Sequence, residues 1–166
     1  MSSKLYSIVN RVNTTAPSFL RGPLLSFIFN TNIKYAGTTG IRVQEWNETH
    51  VIVNLMNRLR VQNHLKTIHA TAMATLAEST SGMMFGTYLR DTTHLPLLKS
   101  MNIKFVKLAK GNLQAKATIT SEQIQDIQTL DKGSTIIDVT VTDEESKRPI
   151  ICEMEWAWAP MKKKKK

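Results

Sequence analysis

The sequence predicts one α+β domain, an antiparallel sheet curled around a long central helix and preceded by an N-terminal helical lead. Three observations predict it. Segments with the two-residue alternation of half-buried strands lie before and after residues 68–89. That stretch is itself free of proline and rich in alanine and methionine. Residues 3–29 carry apolar side chains at helical spacing. On this reading residues 1–38 are a helical segment packed on the domain, residues 39–161 are the domain proper, and residues 162–166 are a solvated lysine tail.

In the lead, Leu5, Ile8, Val9 and Val12 recur at helical spacing, and Pro17 and Gly22-Pro23 punctuate a second short helical piece. Alternating residues at Thr39–Glu45 and Thr49–Leu55, separated by Asn47-Glu48, predict a hairpin. Helical periodicity then runs from Ile68 to Leu89 through Ala72, Leu76, Thr80 and Met83-Met84. After His94-Leu95-Pro96, strands are expected at Asn102–Leu108 and Leu113–Thr120, joined as a hairpin by the turn signal Lys110-Gly111-Asn112. A short helix starts at Ser121-Glu122-Gln123 and ends near Leu130. The closing strands, Ser134–Thr142 and Pro149–Ala159, turn through Asp143–Ser146. Trp156 and Trp158 fall on one side of the last strand and cover the core or a dimer seam, and His50, His64 and His94 read as surface or loop residues.

With 166 residues and 42% hydrophobic content, the chain has the length for one core. Its formal charge is +9, but five of those charges are Lys162–Lys166, and the remainder carries only +4. The body is too mildly basic for a nucleic-acid binder, and Glu153 and Glu155 beside the tryptophans argue against a base-stacking platform. The lysine run is suited to contact with an anionic membrane surface. Residues 1–44 hold Lys4, Arg11, Arg21, Lys34 and Arg42 and no acid. That is the composition of a mitochondrial presequence, and equally of an amphipathic helix packed on a cytoplasmic domain. Pro17–Phe29 is interrupted by Arg21, Gly22 and Pro23, so it is too short and broken to span a bilayer. The single cysteine, Cys152, cannot form an internal disulfide, reads as a small buried hydrophobe and fits a reducing compartment. There is no Gly-rich phosphate loop, no Gly-x-Ser-x-Gly elbow and no metal-ligand spacing, so neither a cofactor nor a metal is expected.

Chemistry concentrates in residues 63–82, where Asn63, His69 and Glu78 stand in an otherwise small and apolar run. A carboxylate among Met73–Ala77 and Met83-Met84 is desolvated, which raises its pKa toward the range of a general base. The alternatives are a solvated helix face or a buried glutamate bonded to a strand. His69 reads equally as a helix cap or a satisfied core residue, and Asn63 as a turn residue. Nine residues of helix separate His69 from Glu78 by ~13 Å and about half a turn, so one chain cannot bring both to one reacting group. Two antiparallel helices of a two-fold dimer can.

Asn63, five residues, His69, then an acid nine further on, is similar to the signature of hotdog-fold acyl-CoA thioesterases of the phenylacetate-pathway type, which carry Asn-x5-His-Gly-Gly. Thr67 fits the same pattern, and the likeness covers roughly residues 39–159. The helical lead and Gly40-Ile41-Arg42-Val43 resemble a poorly characterised branch of that superfamily. The resemblance implies hydrolysis of a fatty or aromatic acyl-CoA, with coenzyme A entering only as part of the substrate, by a homodimer or a tetramer. Glu78 would activate water or attack directly, the Ala70 N–H would meet the oxyanion, Asn63 would orient water or carbonyl, and His69 would position the loop or thioester. Thr67, Ser100 and Met83 would contact substrate. Two positions depart from the pattern: Ala70-Thr71 replaces Gly-Gly, and Glu78 replaces the commoner aspartate. A non-catalytic acyl-CoA or lipid binder on the same scaffold is the second reading.

Overall fold

The computed structural model describes residues 4–90 and 93–161, and the lysine run lies outside them. The lead consists of α1 (Lys4–Thr15), α2 (Ser18–Asn32) and α3 (Lys34–Thr39). It is followed by β1 (Arg42–Trp46), β2 (His50–Leu55), α4 (Ala70–Tyr88), β3 (His94–Phe105), β4 (Leu113–Thr118), α5 (Ser121–Thr129), β5 (Gly133–Asp143) and β6 (Ile150–Pro160). The strands form one antiparallel sheet in the order β1-β2-β4-β5-β6-β3, wrapped on α4. This is the hotdog architecture.

Helix α4 is the axis of the core because almost every face of it is apolar or small. Leu76, Ala77, Met83, Met84 and Phe85 are fully buried in it. Its buried hydroxyls are satisfied: Thr75, Thr80 and Thr87 donate to the carbonyls four residues earlier. Two tryptophans complete the accounting, since Trp46 Nε1 donates to Thr87 Oγ1 and Trp156 Nε1 to Ser81 Oγ. Trp156 and Trp158 both turn inward, as their spacing predicts, and Phe85 lies against both rings. Only Ala70, Thr71, Ala74, Glu78, Gly82, Gly86 and Tyr88 of α4 keep some exposure.

The two sheet edges are treated differently. At β1, the N–H of buried Val43 donates to Ser26 Oγ, while Asn13 and Asn30 side-chain amides donate to the Trp46 and Ile41 carbonyls. Gly22 permits this close approach, because a Cβ there would sit 2.8 Å from the Val43 carbonyl oxygen. The lead therefore covers an edge that would otherwise present unpaired backbone. Among the described residues the opposite edge, β3, pairs only with β6, and it exposes Leu95, Leu97, Met101 and Phe105.

Three expectations are corrected. The strand before Lys110-Gly111-Asn112 does not form a hairpin with β4: β3 pairs with β6, and β4 lies between β2 and β5. The connecting segment instead crosses the β5–β6 turn, where the Val106 and Lys107 N–H groups donate to the Pro149 carbonyl and Asp143 Oδ2 accepts from the Lys110 N–H. Gly111 has φ +64°, so its turn is real but belongs to a crossover. Strand β3 also begins eight residues before the expected Asn102, at His94. That His94 is buried, not a surface or loop residue: Thr93 Oγ1 lies 2.7 Å from Nδ1, and Nε2 lies 2.8 Å from the Asp131 carbonyl oxygen.

Candidate active site

A tight turn prepares the start of α4. The Asn63 N–H donates to the Thr67 carbonyl, the His69 N–H to the Val61 carbonyl, and Asn63 Oδ1 accepts from the Leu65 and Thr67 N–H groups. Asn63 Nδ2 donates to Thr67 Oγ1 at 2.9 Å. Lys66 adopts φ 60° to close the turn. Asn63 is thus first a turn residue, with one Nδ2 hydrogen left over.

His69 is the N-cap of α4, with φ −65° and ψ 146°. Its Nδ1 accepts from the Thr71 N–H at 3.1 Å and lies 2.8 Å from Thr71 Oγ1. A neutral ring that accepts at Nδ1 carries its proton on Nε2, which is then a donor directed away from the helix. The Ala72 and Met73 N–H groups both donate to the His69 carbonyl. The Ala70 N–H makes no hydrogen bond among the described residues, and it stands at the positive end of a 19-residue helix.

Ala70 lines a groove of ≈ 380 Å³. Asn63, Thr67, Ala70 and Met73 form one wall, and the crossover segment Phe105–Ala109 forms the other. On the far side of the α4 N-terminus a second groove of ≈ 420 Å³ is lined by Tyr35, Thr39, Arg60, Gln62, His69 and Thr71. The structure therefore brings Asn63, Thr67 and Ala70 together and places His69 at the neighbouring opening.

Glu78 lies elsewhere. It is eight residues along α4 from Ala70, ~12 Å by helix rise, and lines neither groove. It is half-buried, and burial raises its pKa above the ordinary carboxylate range, opposed only by the Ser79 hydroxyl that donates to Oε2 at 3.2 Å. Ser100 lies on exposed β3, where Oγ donates to Glu155 Oε2, ~17 Å along the strand from the groove residue Phe105. Met83 is fully buried in the core and borders neither groove, so within this chain it offers no surface to a substrate. Met73 is the methionine on the groove wall. Sequence reasoning also missed the crossover wall and Arg60, both of which come near α4 only through the fold.

Burial, with the nearby Asp138 charge second, pushes the half-buried Cys152 thiol up to about 11, so it stays protonated near neutrality. Among the described residues no three His, Cys, Asp or Glu side chains gather at metal-binding distance.

A family model described as a domain of unknown function, DUF4442, matches residues 22–158. The chain belongs to the DUF4442 family. The matched span begins within α2 and ends within β6. No curated protein matches it. Solved structures do. A Pseudomonas aeruginosa protein of unknown function, named a probable thioesterase, is similar at 22% identity over 84% of this chain and 95% of that one, with TM-score 0.75. A mutant of a second Pseudomonas aeruginosa thioesterase is similar at 15% identity over 80% of this chain and 92% of that one, TM-score 0.66. A Haemophilus influenzae thioesterase is similar at 13% identity over 78% of this chain and 85% of that one, TM-score 0.64. At these identities the likeness establishes the hotdog fold of this DUF4442 chain and nothing finer. Among its described residues, no helix is long and apolar enough to cross a membrane.

Proposed function

We propose that the protein is an acyl-CoA thioesterase acting as a two-fold dimer. The observation that carries this reading is Ala70, which lines the Asn63–Thr67–Met73 groove at the positive end of α4 and whose N–H is unpaired among the described residues. A backbone donor so placed suits a developing oxyanion. Thioesterase names among the structural neighbours point the same way.

The carboxylate needed for hydrolysis is supplied across the dimer. The bare β3 edge, with Leu95, Leu97, Met101 and Phe105 exposed, pairs with the same edge of a second copy and continues the sheet. Ala70, Ala74 and Glu78 retain exposure along α4 and are small apart from the glutamate, so a second helix approaches closely there. Glu78 of the partner subunit removes a proton from water, and the water oxygen attacks the thioester carbon. The resulting oxyanion accepts from the Ala70 N–H. Collapse breaks the C–S bond, and the coenzyme A thiolate takes the proton held by Glu78, leaving the carboxylic acid and free thiol. The remaining Nδ2 hydrogen of Asn63 holds the carbonyl or the water, Thr67 fixes the Asn63 amide, and His69 lines the neighbouring opening. Ser100 and Met83 take no part within the subunit that carries the groove.

The raised pKa of Glu78 supports its use as a base near neutrality. Purified protein is expected to release free thiol from acyl-CoAs when short, medium, long and aromatic acyl chains are tested. Absence of turnover on every chain length, with binding retained in calorimetry, gives the second reading, a non-catalytic acyl-CoA binder. That reading is favoured by one observation: most of the Asn63 amide is already engaged by its own turn.

A further inference from the structure

Helix α2 is apolar on two sides, and only one of them is used by the fold. Leu25 is buried, Gly22 lies against the Val43 carbonyl, and Ser26 and Asn30 bond to β1 and its flank. At 100° per residue, Leu20, Pro23, Leu24, Phe27 and Thr31 fall within an arc of about 100° on the opposite side. All five are exposed, and Phe19, at the border of the arc, is 75% exposed while Phe27 is 67% exposed. No charged residue stands on this arc. Just beyond it, exposed Ile33 and Tyr35 continue the apolar surface. A contiguous apolar face of this kind marks a contact surface.

Charge selects the occupant. Residues 1–44 contain Lys4, Arg11, Arg21, Lys34 and Arg42 and no acidic residue. Arg11 on α1 and Lys34, two residues beyond the end of α2, are exposed. A second copy of the chain would bring the same cations against these, which opposes self-association, and a nucleic acid would leave the phenylalanine–leucine stripe unused. An anionic bilayer satisfies both parts, with apolar side chains entering below headgroups whose phosphates meet the rim of cations. We propose that the outward face of α2 seats the protein on anionic lipid surfaces, with the helix lying in the plane of the interface. This face is distinct from the bare β3 edge and from residues 162–166, and the inference does not depend on thioester hydrolysis.

The test is sedimentation of the full chain with vesicles of equal parts phosphatidylglycerol and phosphatidylcholine, compared with phosphatidylcholine alone. The parent should bind the mixed vesicles and bind pure phosphatidylcholine more weakly. The double variant Phe19→Ser/Phe27→Ser changes two exposed side chains, so its fold is retained, which circular dichroism checks. It should bind the mixed vesicles at least about tenfold less tightly, since each ring loses the burial it gains at the interface. Parent and variant both carry residues 162–166, so any contribution of that run is common to both. Undiminished binding by the variant, or a parent that ignores both vesicle types, overturns the proposal. A variant that instead loses a subunit contact in light scattering shows a self-association face and also overturns it.

Discussion

Replacing Ala70 by proline removes one atom group of interest, the backbone N–H, at a position where the helix tolerates the change. Ala70 is the first residue of α4, where an N–H has no intrahelical partner and proline's fixed φ already suits the helix. The residue before a proline must be extended, and His69 is, with φ −65° and ψ 146°. No described hydrogen bond is lost, so stability should change by no more than about 1 kcal/mol. If this N–H meets the oxyanion, its loss should lower kcat by about 10²–10³, equivalent to ~2.7–4 kcal/mol of transition-state stabilisation. Because the added ring also borders the groove, the diagnostic quantity is kcat at saturating acyl-CoA, with KM measured alongside. Ala70→Gly is the control: it keeps the N–H, removes the methyl and should retain the parental kcat. A folded Ala70→Pro protein with parental kcat would refute the oxyanion assignment.

Other consequences follow from the same geometry. Burial raises the pKa of Glu78 in the folded state, so folding favours its protonated form, and stability falls as the pH rises from the ordinary carboxylate range through the raised folded value. Glu78→Gln should therefore abolish turnover yet raise Tm at neutral pH, with the gain vanishing below the ordinary carboxylate range; a Tm gain confined to acid pH would contradict the burial argument. Ser26→Ala strands the Val43 N–H and should cost about 1–3 kcal/mol, read as a Tm lowered by several degrees in calorimetry. An unchanged Tm would show that the lead does not cap the β1 edge.

How much of this the sequence disclosed depended on whether a local pattern was enough. Helix α4, the β1–β2 and β5–β6 hairpins and the inward-facing tryptophans were legible because each is written in its own periodicity. Strand β3 was half missed because its alternation is weak: as a bare edge it buries little on either face, and Pro96 is tolerated at such an edge. Its pairing with β6 was illegible, since Gly111 signals a turn but not which strand the chain joins. Helix α3, only six residues long, left no periodic trace. Asn63, Thr67 and Ala70 were picked out through the resemblance to the hotdog thioesterase signature and do share a groove, whereas the Phe105–Ala109 wall comes from a distant part of the sequence. The separation of Glu78 from that groove follows from helix rise alone.

The central claim is a site shared between subunits, and subunit mixing tests it most directly. As homodimers, the Glu78→Gln chain is expected to be inactive and the Ala70→Pro chain to keep no more than about 10⁻² of the parental turnover. Co-assembled, they restore one complete site, with Ala70 from the Glu78→Gln chain and Glu78 from the Ala70→Pro chain. The account predicts that the isolated heterodimer recovers about half the parental turnover, one site of two. A heterodimer proven by mass that recovers no activity, or a parental protein that turns over acyl-CoA as a monomer, would contradict it.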